Sequence, residues 1–306
     1  MYQPPVNILR AGRAEESPAS SRRLLRAGPL SLVFDGGDLR YLRYGEREVI
    51  RRVYVAVRDQ HWNTVAPQFS DLRLDAGEDH FHATFQAIHR AGELDFRWRG
   101  EIRGSADGTI TYLMDGAAHS TFWRNRIGCC VLHPMRECAN LPCVAEKIDG
   151  SLLDGRFPAF IAPHQPFIDL RALSYEVAPG VGVEVRCEGD TFEMEDQRNW
   201  SDASFKTYST PLSLPRPAEV PSGARIVQQI TIKLCGHLER AAGDEEGVVE
   251  VTFDDASASV LPRLGIVLAK DAPPLGAAAA RRLRALNLSH LRVDCEAFAP
   301  NVREAF

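Results

Sequence analysis

Short hydrophobic runs, often alternating with polar residues, follow one another from Leu30 to about Phe253. Alternation with a period of two predicts β-strands, because successive side chains of a strand point to opposite faces of a sheet. Gly- and Asp-bearing turns separate the runs, and almost nothing in this span is typical of a long amphipathic helix. The pattern predicts a large antiparallel β-sandwich. The strand-like runs include residues 31–34, 39–44, 49–57, 81–88, 94–102, 109–114, 120–127, 181–186, 224–234 and 247–253.

The period changes after Asp254. Residues 264–269 form a continuous apolar run, which is typical of a strand covered on both faces. Asp271 is a candidate N-cap for a helix over 275–286, and residues 290–294 are a second strand. This order predicts a β-α-β unit, which cannot bury its own faces alone.

Three regions follow from these patterns. We expect a weakly ordered leader at residues 1–29, the β-sandwich at 30–255, and the incomplete start of a parallel α/β domain at 256–306.

Composition places the chain among globular proteins. Its 306 residues carry a net charge of −5, with 44% hydrophobic and 25% charged residues. The arginines are scattered among acids, so nucleic acid is not an expected partner. No segment approaches the roughly 18 apolar residues of a membrane span, and the N-terminus lacks the apolar core of a secretory signal. We therefore expect a cytoplasmic protein with no membrane partner.

The cysteines raise the question of a metal site. Thiolates and imidazoles are the ligands that zinc prefers, but no C-x-x-C pair occurs here. An odd total of seven cysteines without a signal points to reduced thiols. We expect unpaired cysteines, no metal and no other cofactor. The cluster in question is Cys129, Cys130, His133, Cys138 and Cys143.

The densest polar segment is residues 192–212, with the sequence FEMEDQRNWSDASFKTYSTPL. Its acids, bases, amides and aromatic rings suit a polyhydroxylated ligand, which binds by hydrogen bonds and ring stacking. Two interpretations remain open: the segment is the wall of a ligand pocket, or its carboxylates neutralise its cations in a structural corner. The groups are Glu195, Asp196, Arg198, Asn199, Trp200, Lys206 and Tyr208.

Three further polar islands are candidates for the rim of the same cleft. They are residues 58–64, residues 124–126 leading to His133, and the proline-flanked His164. Each also has a structural interpretation, because a histidine beside proline is commonly a turn or core residue and Trp62 is commonly a core anchor.

Three of these segments resemble the bacterial D-apionate lactonase family. They are VLHP at 131–134, FIAPHQPF at 160–167 and the whole of 192–212. The resemblance covers roughly residues 30–306. It implies a mainly β fold, a galactose-mutarotase-like super-sandwich, followed by a (β/α)8 barrel that begins near Leu264. Most of that barrel is missing from this chain, and we expect it as the partner of the sandwich.

The implied reaction is hydrolysis of a sugar-acid lactone, D-apionolactone, to D-apionate in apiose catabolism. It needs a general base for water and a cation or donor facing the developing oxyanion. Residue types predict Glu195, Asp196 and Lys206 as catalytic groups. They predict substrate contacts from Arg126, His133, His164, Arg198, Asn199, Trp200 and Tyr208. Asp294 and Glu296, at the end of the second predicted strand, are rival catalytic candidates if the barrel carries the chemistry.

Two other function classes remain open. An aldose epimerase needs one acid and one base, which His133 or His164 together with Glu195 would supply. Alternatively, the sandwich only binds carbohydrate or braces a barrel, and fold does not decide between these functions.

Overall fold

The computed structural model describes residues 22–200, 202–236, 262–268 and 276–293. The chain divides into two units, residues 1–245 and 246–306, a boundary that lies before the predicted one at residue 255.

The described part of the first unit is built from antiparallel strands, with one short α-helix, α1 (Met135–Cys138), and a 3₁₀ turn at Gln197–Asn199. The strands are β1 (Arg23–Ala27), β2 (Leu30–Asp35), β3 (Asp38–Tyr44), β4 (Arg47–Asp59), β5 (Pro67–Ala76), β6 (Phe81–Ala91), β7 (Leu94–Gly104), β8 (Thr109–Ala118), β9 (Phe122–Pro134), β10 (Pro142–Lys147), β11 (Leu152–Arg156), β12 (Phe167–Ala178), β13 (Val181–Glu188), β14 (Phe192–Asp196), β15 (Ser204–Tyr208), β16 (Ala218–Val220) and β17 (Arg225–Gly236).

Strand pairing arranges these elements in two layers. One layer has the order β1-β2-β3-β4-β9-β15-β14, and β16 pairs with the start of β9. The other has the order β11-β10-β12-β13-β17-β8-β7-β6-β5. Hydrogen bonds between β12 and β14 join the two layers. The predicted antiparallel sandwich is confirmed.

The core lies between the layers and follows the alternation in the sequence. In β6, for example, Phe81, Ala83, Phe85 and Ala87 are buried, whereas the residues between them are more exposed. Residues from both layers belong to one continuous apolar cluster. Burial of this apolar surface, at about 25 cal/mol per Å², is the main force that holds the layers together.

The prediction of a weakly ordered leader over residues 1–29 is wrong for residues 23–27. Residues 23–27 form β1, which pairs with β2 and buries Leu25 and Ala27 in the core. The Arg-rich composition concealed this strand, because Arg26 separates the two buried positions and Arg23 begins the strand. Residues 1–21 lie outside the described part.

The second unit contains β18 (Gly265–Leu268), α2 (Ala277–Ala285) and β19 (His290–Val293). The two strands pair in parallel, from Gly265 with His290 to Leu268 with Val293, as the predicted β-α-β unit requires. The helix begins after Gly276, and the predicted cap Asp271 lies outside the described residues, as do Asp294 and Glu296. Neither α-helix among the described residues has the length and apolar run needed to cross a membrane.

Candidate functional site

Four adjacent strands of the first layer present a polar face on the side away from the core. Their register places Arg58 of β4 opposite Arg126 of β9, and Glu195 of β14 opposite Lys206 of β15. Beneath these groups, a small cluster of Ala56, Cys130 and Tyr208, with Tyr54 packed against it, fills the face. The charged residues therefore rest on an apolar base, where solvent screening is weaker than at an open surface.

These strands and three flanking loops line a cavity of about 540 Å³. This volume lies within the range of roughly 300–1,000 Å³ that is usual for small-molecule sites. The cavity is lined by Arg58, Trp62, Arg126, Glu195, Trp200, Lys206, Leu212 and Arg216. Four residues predicted from the sequence thus meet around one cavity: Glu195, Lys206, Arg126 and Trp200.

The Glu195 carboxylate is held through one of its two oxygens. Its Oε1 accepts hydrogen bonds from Lys206 Nζ and Gln197 Nε2, each at 2.7 Å, and lies 4.0 Å from Arg126 Nη1. Its Oε2 accepts no hydrogen bond from any residue that the structure describes. The carboxylate is fixed in orientation and keeps one oxygen available for a water molecule or a ligand.

Arg126 is a buried cation whose side chain is 6% exposed. Its guanidinium carbon lies 3.7 Å from the centre of the Tyr208 ring and 5.6 Å from that of Trp62. Its Nε is enclosed without a hydrogen-bond partner. Stacking on aromatic faces stabilises the charge but leaves the edges of the guanidinium free for an acceptor.

Three charged or aromatic residues of the lining were not named individually as site residues. Arg58 and Trp62 lie in the segment 58–64 that was predicted for the rim of the cleft, whereas no prediction covered Arg216. Arg58 Nη1 donates to the Trp62 carbonyl oxygen at 3.1 Å, and the Asp59 carboxylate accepts from the backbone of His61 and Asn63, both at 2.8 Å. These bonds fold residues 59–63 into a tight turn that carries the half-exposed Trp62. The density of polar residues at 58–64 was the available signal, whereas nothing in the sequence around Arg216 indicated its position.

Asp196, predicted as a catalytic carboxylate, does not line the cavity. Successive residues of a strand alternate between faces, so Asp196 points away from the cavity that Glu195 lines. Its side chain is 0% exposed and pairs with Arg198 at 2.7 Å. Burial acts to raise the pKa of Asp196, but hydrogen bonds from Arg198 and from the backbone of Ala162 outweigh it and hold the pKa below its usual value.

Arg198 likewise builds a loop and does not line the cavity. Its guanidinium donates to the carbonyl oxygens of Pro158, Ala159 and Phe160 at 3.1, 3.0 and 2.9 Å. Asn199 donates to the Ala162 carbonyl oxygen at 2.6 Å. The structural interpretation of this corner therefore applies to Asp196, Arg198 and Asn199, while Glu195 and Lys206 belong to the cavity.

The two predicted histidines are also outside the cavity lining. His133 is 0% exposed and lies between the Tyr175 hydroxyl at 3.1 Å and Thr207 Oγ1 at 2.9 Å. Burial lowers its pKa to about 3, so it is a neutral core residue. His164 is exposed on the loop before β12.

Tyr208, predicted as a substrate contact, lies beneath the cavity and is not among its lining residues. It is 0% exposed, and its hydroxyl donates to Glu193, which also accepts from the backbone nitrogen of Leu212 at 2.8 Å. Burial and the bond to Glu193 raise the pKa of Tyr208. Its ring presents one face to the Arg126 guanidinium.

The cysteines of the candidate zinc cluster are free thiols: Cys129, Cys130, Cys138 and Cys143 are all buried. Burial raises the pKa of Cys138 to about 12 and that of Cys143 to about 11. Among the residues that the structure describes, no group of three His, Cys, Asp or Glu side chains is placed to hold a metal ion.

Comparison with known proteins identifies the sandwich. The family model described as the D-apionate lactonase N-terminal domain matches residues 10–237. A D-apionate lactonase from Brucella anthropi is 36% identical over an alignment of 289 residues, which covers 92% of this chain and 47% of the relative. The chain therefore belongs to the D-apionate lactonase family. It spans about half the length of the curated relative it matches.

Solved structures of sugar epimerases show a weaker likeness. A galactose 1-epimerase from Lactobacillus acidophilus is 7% identical, with a TM-score of 0.46 over 69% of this chain and 92% of that protein. An aldose epimerase homologue from C. elegans is 7% identical, with a TM-score of 0.43 over 71% of this chain and 99% of that protein. Scores this low carry no conclusion about function.

Proposed function

We propose that the sandwich supplies groups for hydrolysis of a sugar-acid lactone, D-apionolactone to D-apionate, by the whole protein. The observation that carries the proposal is the Glu195 carboxylate, held by Lys206 and flanked by Arg126 at the wall of a cavity large enough for a sugar. Membership of the D-apionate lactonase family supports the choice of substrate.

The arrangement suits attack of water on an ester carbonyl. Glu195 Oε2, which receives no hydrogen bond from the described residues, accepts a proton as the water oxygen bonds to the carbonyl carbon. The carbonyl electron pair moves to its oxygen, and Lys206 or Arg126 stabilises the resulting negative charge. Collapse of the tetrahedral intermediate breaks the bond to the ring oxygen, which takes the proton back from Glu195. The products are the open hydroxy acid and the regenerated carboxylate.

The two tryptophans would position the sugar. Trp62 is 42% exposed and Trp200 is 74% exposed, and both line the cavity. Large exposed aromatic faces pack well against the C–H faces of sugars while their polar edges stay solvated.

We infer that the sandwich is of the galactose-mutarotase type, that the β-α-β unit begins a (β/α)8 barrel, and that the protein is cytoplasmic and acts in apiose catabolism. The length of the Brucella anthropi relative supports a further domain. An epimerase is disfavoured because His133 is buried in the core and His164 does not line the cavity.

The test is turnover of D-apionolactone by the full-length enzyme and its variants. Glu195→Gln should lower kcat by about 100-fold or more, because it removes the base. Lys206→Met should lower kcat by about 100-fold through loss of oxyanion stabilisation. Glu146→Gln is the matched control, since Glu146 pairs with Arg186 in the other layer and should leave kcat unchanged. Unchanged turnover in folded Glu195→Gln would show that the sandwich only binds or braces, and turnover of aldoses would favour the epimerase.

A further inference from the structure

The cavity carries more positive charge than its carboxylate balances. Its lining contains four cations, Arg58, Arg126, Lys206 and Arg216, and one anion, Glu195. Glu195 pairs with Lys206 and is at the limit of an ion pair with Arg126. Within the described ranges, Arg58 and Arg216 form no ion pair, and each donates to a main-chain carbonyl oxygen instead. The lining therefore has a formal charge of +3 when its ionisable residues are counted, four cations minus one anion.

Arg126 is the least satisfied of these cations. It donates no side-chain hydrogen bond to a residue in the described part of the chain, although its side chain is 6% exposed. Its Nε is enclosed without a partner, and the nearest Glu195 oxygen is 4.0 Å from Nη1. A desolvated guanidinium without hydrogen bonds is costly, so this arrangement is explained if a ligand supplies acceptors.

The chemistry of an acceptor that would suit Arg126 follows from the geometry of its guanidinium. A guanidinium offers parallel N–H groups whose spacing matches the two oxygens of a carboxylate. The exposed rings of Trp62 and Trp200 suit the carbon chain of a polyol. A neutral lactone neither balances the excess positive charge nor offers two oxygens to the parallel N–H groups, whereas its ring-opened acid does both.

We propose that this cavity binds the anionic, ring-opened form of a polyhydroxy acid in preference to neutral polyols, with Arg126 as the principal carboxylate contact. The inference rests on the proposed function in naming the same cavity, and it adds that the product acid competes with the lactone. During turnover, D-apionate would then act as a competitive product inhibitor.

The direct test is calorimetric binding to this chain. D-ribonate and ribitol form a matched pair, because they differ in a terminal carboxylate against a terminal alcohol, and D-apionate is the third probe. We expect both acids to bind at least about tenfold more tightly than ribitol, with an affinity that falls as salt is added. Equal affinity for ribonate and ribitol, or binding of neither acid, would overturn the proposal.

Variants locate the contact. Arg126→Gln should raise the dissociation constant for D-apionate at least about tenfold. Arg126→Lys keeps the charge but loses the parallel N–H groups, so its dissociation constant should lie between those of the original protein and Arg126→Gln. Arg103→Gln is the control, because Arg103 is exposed on β7 of the other layer and pairs with Glu101. If Arg126→Gln does not fold, Arg216→Gln should raise the same constant by a smaller factor. An unchanged constant in a folded Arg126→Gln, or in the Arg216→Gln that replaces it, would refute the assignment.

The outcomes separate the two proposals. Acid binding that depends on Arg126, without lactone turnover by the full-length enzyme, would refute the hydrolysis mechanism and retain the anion site. Turnover that depends on Glu195, without a preference for acid over polyol in binding, would refute the anion site and retain the hydrolysis mechanism.

Discussion

Removal of Arg198 should destabilise the sandwich by an amount that its contacts predict. Arg198→Ala removes the ion pair to Asp196, at 2.7 Å, and three hydrogen bonds to the carbonyl oxygens of residues 158–160. The Asp196 carboxylate is 0% exposed and would keep the backbone donors of Ala162 and residue 198. Leaving one partner of a buried pair uncompensated costs about 3–5 kcal/mol. Because Arg198 itself is partly exposed and water can enter, we expect about 3 kcal/mol.

The assay is urea unfolding of this chain at neutral pH, followed by tryptophan fluorescence. Arg171→Ala is the matched control, since Arg171 donates one hydrogen bond, to the Ile148 carbonyl oxygen at 3.1 Å, and should cost less than about 1 kcal/mol. In a double-mutant cycle, Asp196→Ala and Arg198→Ala together should cost at least about 1 kcal/mol less than the sum of the single changes. A loss in Arg198→Ala no larger than that in Arg171→Ala would refute the structural role.

Three further predictions concern the buried residues His133 and Tyr208 and the glycine at position 128. Burial lowers the pKa of His133 to about 3, whereas the unfolded chain binds a proton near about 6.5. The free energy of unfolding should therefore fall as pH drops from about 6.5 towards 3, by up to about 1.4 kcal/mol per pH unit for His133. Urea midpoints that stay constant across that pH range would contradict this prediction. Tyr208→Phe loses the hydroxyl bond to Glu193 but keeps the ring under Arg126. The free energy of unfolding should therefore fall by about 1–2 kcal/mol while the affinity for D-apionate is unchanged. Tyr208→Leu, which also loses the ring, should lower both the free energy of unfolding and the calorimetric affinity for D-apionate. Gly128→Ala would place a Cβ 2.8 Å from the Gln228 amide oxygen, and we expect a loss of about 1–3 kcal/mol by chemical denaturation.

The sequence carried enough information for the fold and for the faces of its strands, but the site residues were grouped by chemical type and not by face. Alternating runs predicted the antiparallel strands, and the change of period predicted the parallel pair at β18 and β19. The same alternation, applied residue by residue, separates Glu195 from Asp196, because adjacent strand residues cannot line one cavity. Residue chemistry alone grouped the two carboxylates together. The burial of His133 follows from the same rule, since it shares a face with the core residue Val131.

The cation cluster could be predicted only in part. The polar segments 58–64 and 124–126 were expected at the rim of one cleft, but the position of Arg216 was not. Arg58, Arg126 and Arg216 are far apart in the sequence and meet because β4 pairs with β9 and because the loop after β15 returns over them. Register between strands that are distant in sequence is set by the whole core, which no local pattern encodes.

The two faces of β14 and β15 show how one short segment serves both stability and binding. Towards the interior, Asp196 pairs with Arg198 and ties down the loop at 158–162, where every charge has a partner. On the cavity side, one Glu195 oxygen and the Arg126 guanidinium form no hydrogen bond with the described residues. Fully satisfied polar groups contribute to a unique fold, whereas unsatisfied ones raise its free energy unless a ligand completes them. The contrast between the two faces, rather than the density of charge in the sequence, is therefore the physical reason to place ligand binding at Arg126 and Glu195 and architecture at Asp196 and Arg198.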